Sequence, residues 1–122
     1  MERVLSAVTI PTLHITSVDD TINLPGYRST VEDRRAVFRA MRASPRTLAV
    51  FNTGGHSIFT DRTTRSGPET SARIKGATRE LCALFLQQAL LSPQSDQGLK
   101  QWRERYQDTL DQFVVQQISK SL

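Results

Sequence analysis

The order of apolar and polar residues in the first half of the chain predicts a strand, a helix and a second strand. Residues 8–16 are rich in β-branched side chains, which favours a strand. A helix is predicted over residues 31–43, with Thr30 as its N-cap. Residues 47–51 are apolar at successive positions, which is typical of a strand buried on both faces of a parallel sheet. This order predicts a parallel βαβ unit over residues 8–51.

The second half of the chain predicts two long helices after a polar loop. The loop covers residues 52–69, and apolar residues then recur at helical spacing over residues 70–92 and again over residues 98–119. The predicted apolar side of the last helix comprises Leu99, Trp102, Tyr106, Leu110, Phe113 and Val114. Two strands alone form a marginal sheet in water, so the second strand is expected to need neighbours that the chain does not supply. The prediction is a single partial α/β domain over residues 1–122, with an incomplete parallel sheet.

Length and charge narrow the class of protein. A chain of 122 residues, 38% of them apolar, accommodates one domain at most. Sixteen Lys and Arg residues against twelve Asp and Glu residues give a net charge of +4, and Arg35, Arg39, Arg42 and Arg46 recur at helical spacing. Such a stripe can bind phosphates, but no aromatic side chains alternate with these arginines as base-stacking platforms. We interpret it as a solvated helix face and expect no nucleic-acid partner.

The cysteine and histidine content argues against several kinds of site. The single cysteine, Cys82, cannot form an internal disulfide or a multi-cysteine metal site. His14 and His56 are too few for a histidine-rich metal site, so neither a metal ion nor another cofactor is predicted. No apolar stretch approaches the roughly 18 residues needed to span a bilayer. No membrane span is therefore predicted, and the sequence leaves the localisation open.

Acidic residues and a histidine follow the two predicted strands. Asp19 and Asp20 come after the first strand, and His56 comes after the second, directly behind Gly54 and Gly55. Functional groups of open α/β sheets lie outside the carboxyl ends of the strands, so these side chains are expected at one edge of the sheet. A carboxylate that holds a histidine in the correct tautomer lets it accept a proton from a hydroxyl nucleophile. The order of acid and then histidine matches the last part of the Ser, Asp, His order of α/β-hydrolases.

Three segments resemble a known family. They are IPTLHITSVDDTI (residues 10–22), PGYRSTVEDRRAVFRAM (residues 25–41) and GGHSIFTDR (residues 54–62). The first looks like the acid-bearing strand and loop of the α/β-hydrolase superfamily, and the last like the histidine loop of its dienelactone-hydrolase-like and chlorophyllase-like bacterial esterases. The resemblance covers residues 10–91 and only the C-terminal half of that fold.

The resemblance implies which residues carry the chemistry. It places the triad acid at Asp20 and the general base at His56. Ser17 stands where the family usually has glycine, which leaves Asp19 as the alternative acid. The family's nucleophile motif, Gly-x-Ser-x-Gly, is absent from this sequence, and so is the loop that forms the oxyanion hole. The expected function is therefore that of the C-terminal half of an esterase-like serine hydrolase, which acts on a small-molecule ester only when an N-terminal half complements it.

A non-catalytic function is the alternative. A truncated α/β-hydrolase remnant with an exposed strand edge and two amphipathic helices would act as a protein-interaction or self-associating module. In that case the strand edge or the C-terminal helices would form a homo-oligomer, and Asp20 and His56 would have no catalytic role.

Overall fold

The computed structural model describes residues 2–55, 67–91 and 97–118, which form a mixed arrangement of helices and strands. The helices are α1 (Glu2–Leu5), α2 (Val31–Ala40), α3 (Pro68–Leu90) and α4 (Gln97–Tyr106). The strands are β1 (Thr12–Asp19), β2 (Ile22–Leu24), β3 (Tyr27–Ser29), β4 (Arg46–Gly55) and β5 (Leu110–Gln116). None of the described helices is long and apolar enough to cross a membrane.

A three-stranded mixed sheet lies at the centre of the fold, in the order β1, β4, β5. β1 runs parallel to β4, with Asp19 opposite Gly55 at the carboxyl ends of the two strands. β5 runs antiparallel to β4, with Phe113 opposite Ala49. β2 and β3 form a separate antiparallel hairpin. The α/β class is therefore confirmed, and β1, α2 and β4 form the predicted βαβ unit.

The C-terminal part of the chain corrects the prediction of one helix over residues 98–119. α4 ends at Tyr106, a 3₁₀ turn follows at Gln107–Thr109, and β5 begins at Leu110. Phe113 packs against the cluster formed with α3 and α4, whereas Val114 packs against the cluster on the α2 side of the sheet. Neighbouring side chains that point to opposite faces are the signature of a strand. The expectation that the chain supplies no further neighbour for the second strand is therefore wrong, since β5 pairs with it.

Other boundaries differ from prediction by a few residues. β1 covers Thr12–Asp19 rather than residues 8–16, and β4 extends four residues beyond the predicted end at residue 51. α2 ends at Ala40 rather than at residue 43, whereas Thr30 is its N-cap as predicted, with the Thr30 N–H donating to Asp33 Oδ2 at 2.8 Å. Because β4 continues to Gly55, it occupies the first part of the predicted loop over residues 52–69. Residues 56–66 of that loop lie outside the described part of the chain.

β4 separates two apolar clusters, because its alternate side chains point to opposite faces of the sheet. On one face, Ala49 and Phe51 pack against residues of α3 and α4. On the other face, Leu48 and Val50 pack against Phe38 of α2. All four of these β4 side chains are at most 2% exposed, which confirms the prediction of a strand buried on both faces.

Candidate acid site at the end of strand β1

Asp20 is the first residue beyond β1, and it is buried, with 5% of the residue's surface exposed. Its backbone N–H donates to the carbonyl oxygen of Ser17 at 3.0 Å, which turns the chain sharply at the strand end. The Thr16 hydroxyl donates to Asp20 Oδ2 at 2.7 Å. Since Thr16 is itself 1% exposed, this contact fixes the carboxylate inside the protein rather than at its surface.

A buried carboxylate needs a compensating charge, and Arg34 supplies it. Arg34 Nη2 lies 3.6 Å from Asp20 Oδ1. The same guanidinium donates to the carbonyl oxygen of Thr30 at 3.2 Å and to the hydroxyl of Ser29. These contacts hold Arg34 over the carboxyl end of β1. At 3.6 Å the guanidinium balances the charge of Asp20 mainly through space, because the distance exceeds that of a hydrogen bond.

The two aspartates at this strand end have different environments. Asp19 is the last residue of β1 and is exposed, whereas Asp20 is buried among the polar groups described above. The prediction that both aspartates follow a strand ending at Thr16 is therefore wrong, because β1 continues to Asp19. The difference in burial comes from the turn after the strand, which directs Asp20 inwards.

The carboxyl end of β4 lies beside this site. Gly55 is opposite Asp19 in the parallel register, and the hydroxyl of Ser17 donates to the carbonyl oxygen of Gly54. Gly54 has a φ of 105°, a conformation that L side chains rarely adopt, so glycine is needed at this point. His56, the predicted base, lies outside the described residues. The chain nevertheless leaves β4 towards His56 at the strand end where Asp20 is buried.

Sequence reasoning missed three residues that shape this site, namely Thr16, Ser17 and Arg34. Ser17 is, by sequence, only a departure from the glycine of the resembling family, yet its hydroxyl joins the ends of β1 and β4. The resemblance gives no role to Arg34. The position of Arg34 in the sequence does indicate a role. The crossover helix of a βαβ unit begins at the sheet edge where the first strand ends, so a cation in the first turn of that helix faces the acid loop.

The predicted basic stripe does not form, because α2 ends at Ala40 and leaves Arg42 and Arg46 outside the helix. Arg35 instead pairs with Glu32 and, at 3.0 Å, with Asp111 of β5. The Arg46 guanidinium donates to the carbonyl oxygen of Met41 at 3.0 Å and stacks over the ring of Phe38. Two of the four arginines thus serve contacts within the fold rather than a surface for phosphates.

Neither metal ligands nor similarity to known proteins indicates a function for this site. Within residues 2–55, 67–91 and 97–118, no group of three His, Cys, Asp or Glu side chains comes together as metal ligands would. The chain matches no protein-family model, no curated protein and no solved structure. The α/β-hydrolase resemblance therefore rests on the three sequence segments alone.

Proposed function

We propose that this chain supplies the acid and the histidine of a Ser-His-Asp triad for ester hydrolysis, with Asp20 as the acid and His56 as the base. The observation that carries the proposal is the buried carboxylate of Asp20 at the end of β1, beside the point where β4 leads into His56. Parallel strands place their carboxyl ends at one edge, which is where α/β sheets bind ligands. The order of the acid and the histidine along the chain agrees with that of the α/β-hydrolases.

Each residue has a defined role in this proposal. A serine from a complementing segment attacks the ester carbonyl, and His56 takes its proton and later passes it to the leaving alcohol. The Asp20 carboxylate holds the imidazole in position and stabilises the imidazolium that forms. Thr16 and Arg34 hold the Asp20 carboxylate in place. The serine and the oxyanion-hole donors come from elsewhere, since this sequence contains no Gly-x-Ser-x-Gly motif.

The Asp20–His56 pair is tested by following the titration of the His56 ring in ¹⁵N-histidine NMR spectra of this chain. We expect Asp20→Asn to lower the midpoint of that titration by about one pH unit, because a neighbouring carboxylate favours the imidazolium. The asparagine side chain keeps an oxygen that accepts from Thr16, so the local fold is preserved. Asp19→Asn removes the same charge from the adjacent exposed position and serves as the matched control, with an expected midpoint close to that of the unmodified chain.

Two results would contradict the pairing: equal shifts in both variants, or no shift in either. Asp20 would then be a structural anchor for Arg34 and nothing more. His14, the second histidine of the chain, reports in the same spectra whether either substitution disturbs the sheet.

Ester hydrolysis itself is tested after joining this chain to a segment that provides a strand, a Gly-x-Ser-x-Gly turn and a helix. Hydrolysis of p-nitrophenyl acetate is expected from the joined protein and not from this chain alone. Both Ser→Ala in the added motif and His56→Ala are expected to remove it. Activity that survives His56→Ala would assign the base to another residue.

A further inference from the structure

A cavity of about 800 Å³ lies beside β1. Its lining includes four consecutive residues of the strand, Leu13, His14, Ile15 and Thr16. Neighbouring side chains of a strand point to opposite faces of the sheet. Leu13 and Ile15 pack on the α3 and α4 side of the sheet, whereas His14 contacts Phe38 on the α2 side, so a cavity that touches all of them reaches the edge of the strand. The cavity therefore follows the edge of β1 that faces away from β4.

The backbone of β1 presents hydrogen-bonding groups to this cavity. The N–H of Thr12 donates to the carbonyl oxygen of Pro45, which directs Thr12 towards the β4 side. Since the N–H and C=O groups of successive strand residues alternate in direction, those of Leu13 and Ile15 point away from β4. Within the described part of the chain, β1 pairs with β4 alone. An unpaired strand edge of this kind is a template for an added strand.

The walls of the cavity differ between its two ends. Ala36, Val37 and Ala40 of α2 and Leu5 of α1 form an apolar wall. Because α2 runs back along β1, this wall continues towards the amino end of the strand. Two of these four side chains are alanines, which leave space for apolar side chains of a bound segment.

The end near the carboxyl terminus of β1 is cationic. Arg28 and Arg34 line it, with Asp33 as the only acidic residue of the described lining. The Asp33 carboxylate accepts a hydrogen bond from the Thr30 N–H at the start of α2, and the guanidinium of Arg34 forms an ion pair with Asp20. Arg28 is exposed and makes no ion pair with a described residue. Burial, and secondarily the charge of Arg46, lowers the pKa of His14, so its ring adds no charge at neutral pH.

We propose that the outer edge of β1 binds an extended segment of another protein, with apolar side chains at alternate positions and an acidic residue beside Arg28. The backbone groups of Leu13 and Ile15 would pair with the segment, α2 would cover its apolar side chains, and Arg28 would select its acidic end. Binding of this kind is strand addition to a sheet edge, in which the main chain gives affinity and the side chains give specificity. It does not depend on the proposed triad.

The test uses designed peptides of alternating valine and threonine with a glutamate at either the N- or the C-terminal end, which allows for both strand directions. Binding to the whole chain is measured by calorimetry and by ¹⁵N spectra. Each peptide is also made with N-methyl groups on one alternate set of residues or on the other. N-methylation of one set is expected to weaken binding by about tenfold or more, because the backbone N–H groups of that set point towards β1. N-methylation of the other set is expected to leave binding nearly unchanged.

Charge reversal tests the role of Arg28. Arg28→Glu is expected to weaken binding of the glutamate peptide and to favour a peptide with lysine in its place. Arg103→Glu changes the same charge at an exposed position of α4 and is expected to leave both affinities unaltered.

Four outcomes would overturn the proposal. They are no binding of either peptide, equal effects of both N-methyl sets, equal effects of the Arg28 and Arg103 substitutions, and a dimer of this chain that the peptide dissociates. The last would identify a second copy as the occupant of the edge.

Discussion

Trp102→Ala is expected to lower the free energy of unfolding by about 3–5 kcal/mol, the range typical for truncation of a buried tryptophan. Trp102 is fully buried, and its ring centroid lies 5.5 Å from that of Tyr106 and 5.2 Å from that of Phe113. Its Nε1–H donates to the carbonyl oxygen of Ala77 at 2.9 Å. The side chain thus joins α3, α4 and β5, and alanine would leave a cavity where they meet. Because domains are stable by only about 5–15 kcal/mol, this one change would remove a large fraction of the stability.

The measurement is urea denaturation followed by far-UV circular dichroism, since the substitution removes the only tryptophan of the chain. Leu90→Ala is the control, because Leu90 is 75% exposed on α3, and a change within about 0.5 kcal/mol is expected. Trp102→Phe keeps an aromatic ring but loses the hydrogen bond to Ala77, so its effect should lie between the two. A Trp102→Ala variant as stable as Leu90→Ala would exclude the packing described for α4.

Phe113→Asp is expected to destabilise the protein by about 3 kcal/mol, because it removes an apolar contact and places a charge against the cluster around Trp102. Gln112→Asp introduces the same residue at the neighbouring position, which is exposed, and should change stability by less than about 0.5 kcal/mol. Both variants are compared by urea denaturation. The contrast between adjacent positions reports that Phe113, and not Gln112, faces the cluster around Trp102.

A double-mutant cycle separates the strand from the helix predicted for the same residues. Phe113→Ala and Trp102→Ala are expected to couple by about 0.5–3 kcal/mol, since the two rings are in contact. Val114→Ala faces the other cluster and should be additive with Trp102→Ala within about 0.5 kcal/mol. Coupling of both residues to Trp102 would place them on one face, as in a helix, and would contradict β5.

The position of the candidate acid, Asp20, could be predicted from the sequence only in part. The strand, helix and strand order placed Asp19 and Asp20 at the carboxyl edge of the sheet, and the structure has both residues there. Sequence alone could not decide which of the two is buried, because that depends on the last residue of β1 and on the turn behind it. The sequence could place Arg34 in the first turn of α2, near the acid loop, but its contact with Asp20 depends on how α2 packs on β1.

The sequence by itself determined the elements whose signal is local. Thr30 marks the start of α2, the apolar run of β4 is buried on both faces, and the periodic residues of α3 form one long helix. These features follow from capping chemistry and from side-chain spacing within a single segment. They could therefore be predicted without knowing what the segment packs against.

Only the tertiary structure decided whether Leu110, Phe113 and Val114 lie in a helix or in a strand. Their spacing is compatible with a helix face, and equally with a strand whose alternate residues reach two different clusters. Pairing with β4 resolves the ambiguity, because it satisfies the backbone of the central strand on its second side and packs the partly buried Phe113 and Val114 against opposite clusters. A contact between residues far apart in the chain thus decides between two structures that the local pattern allows equally.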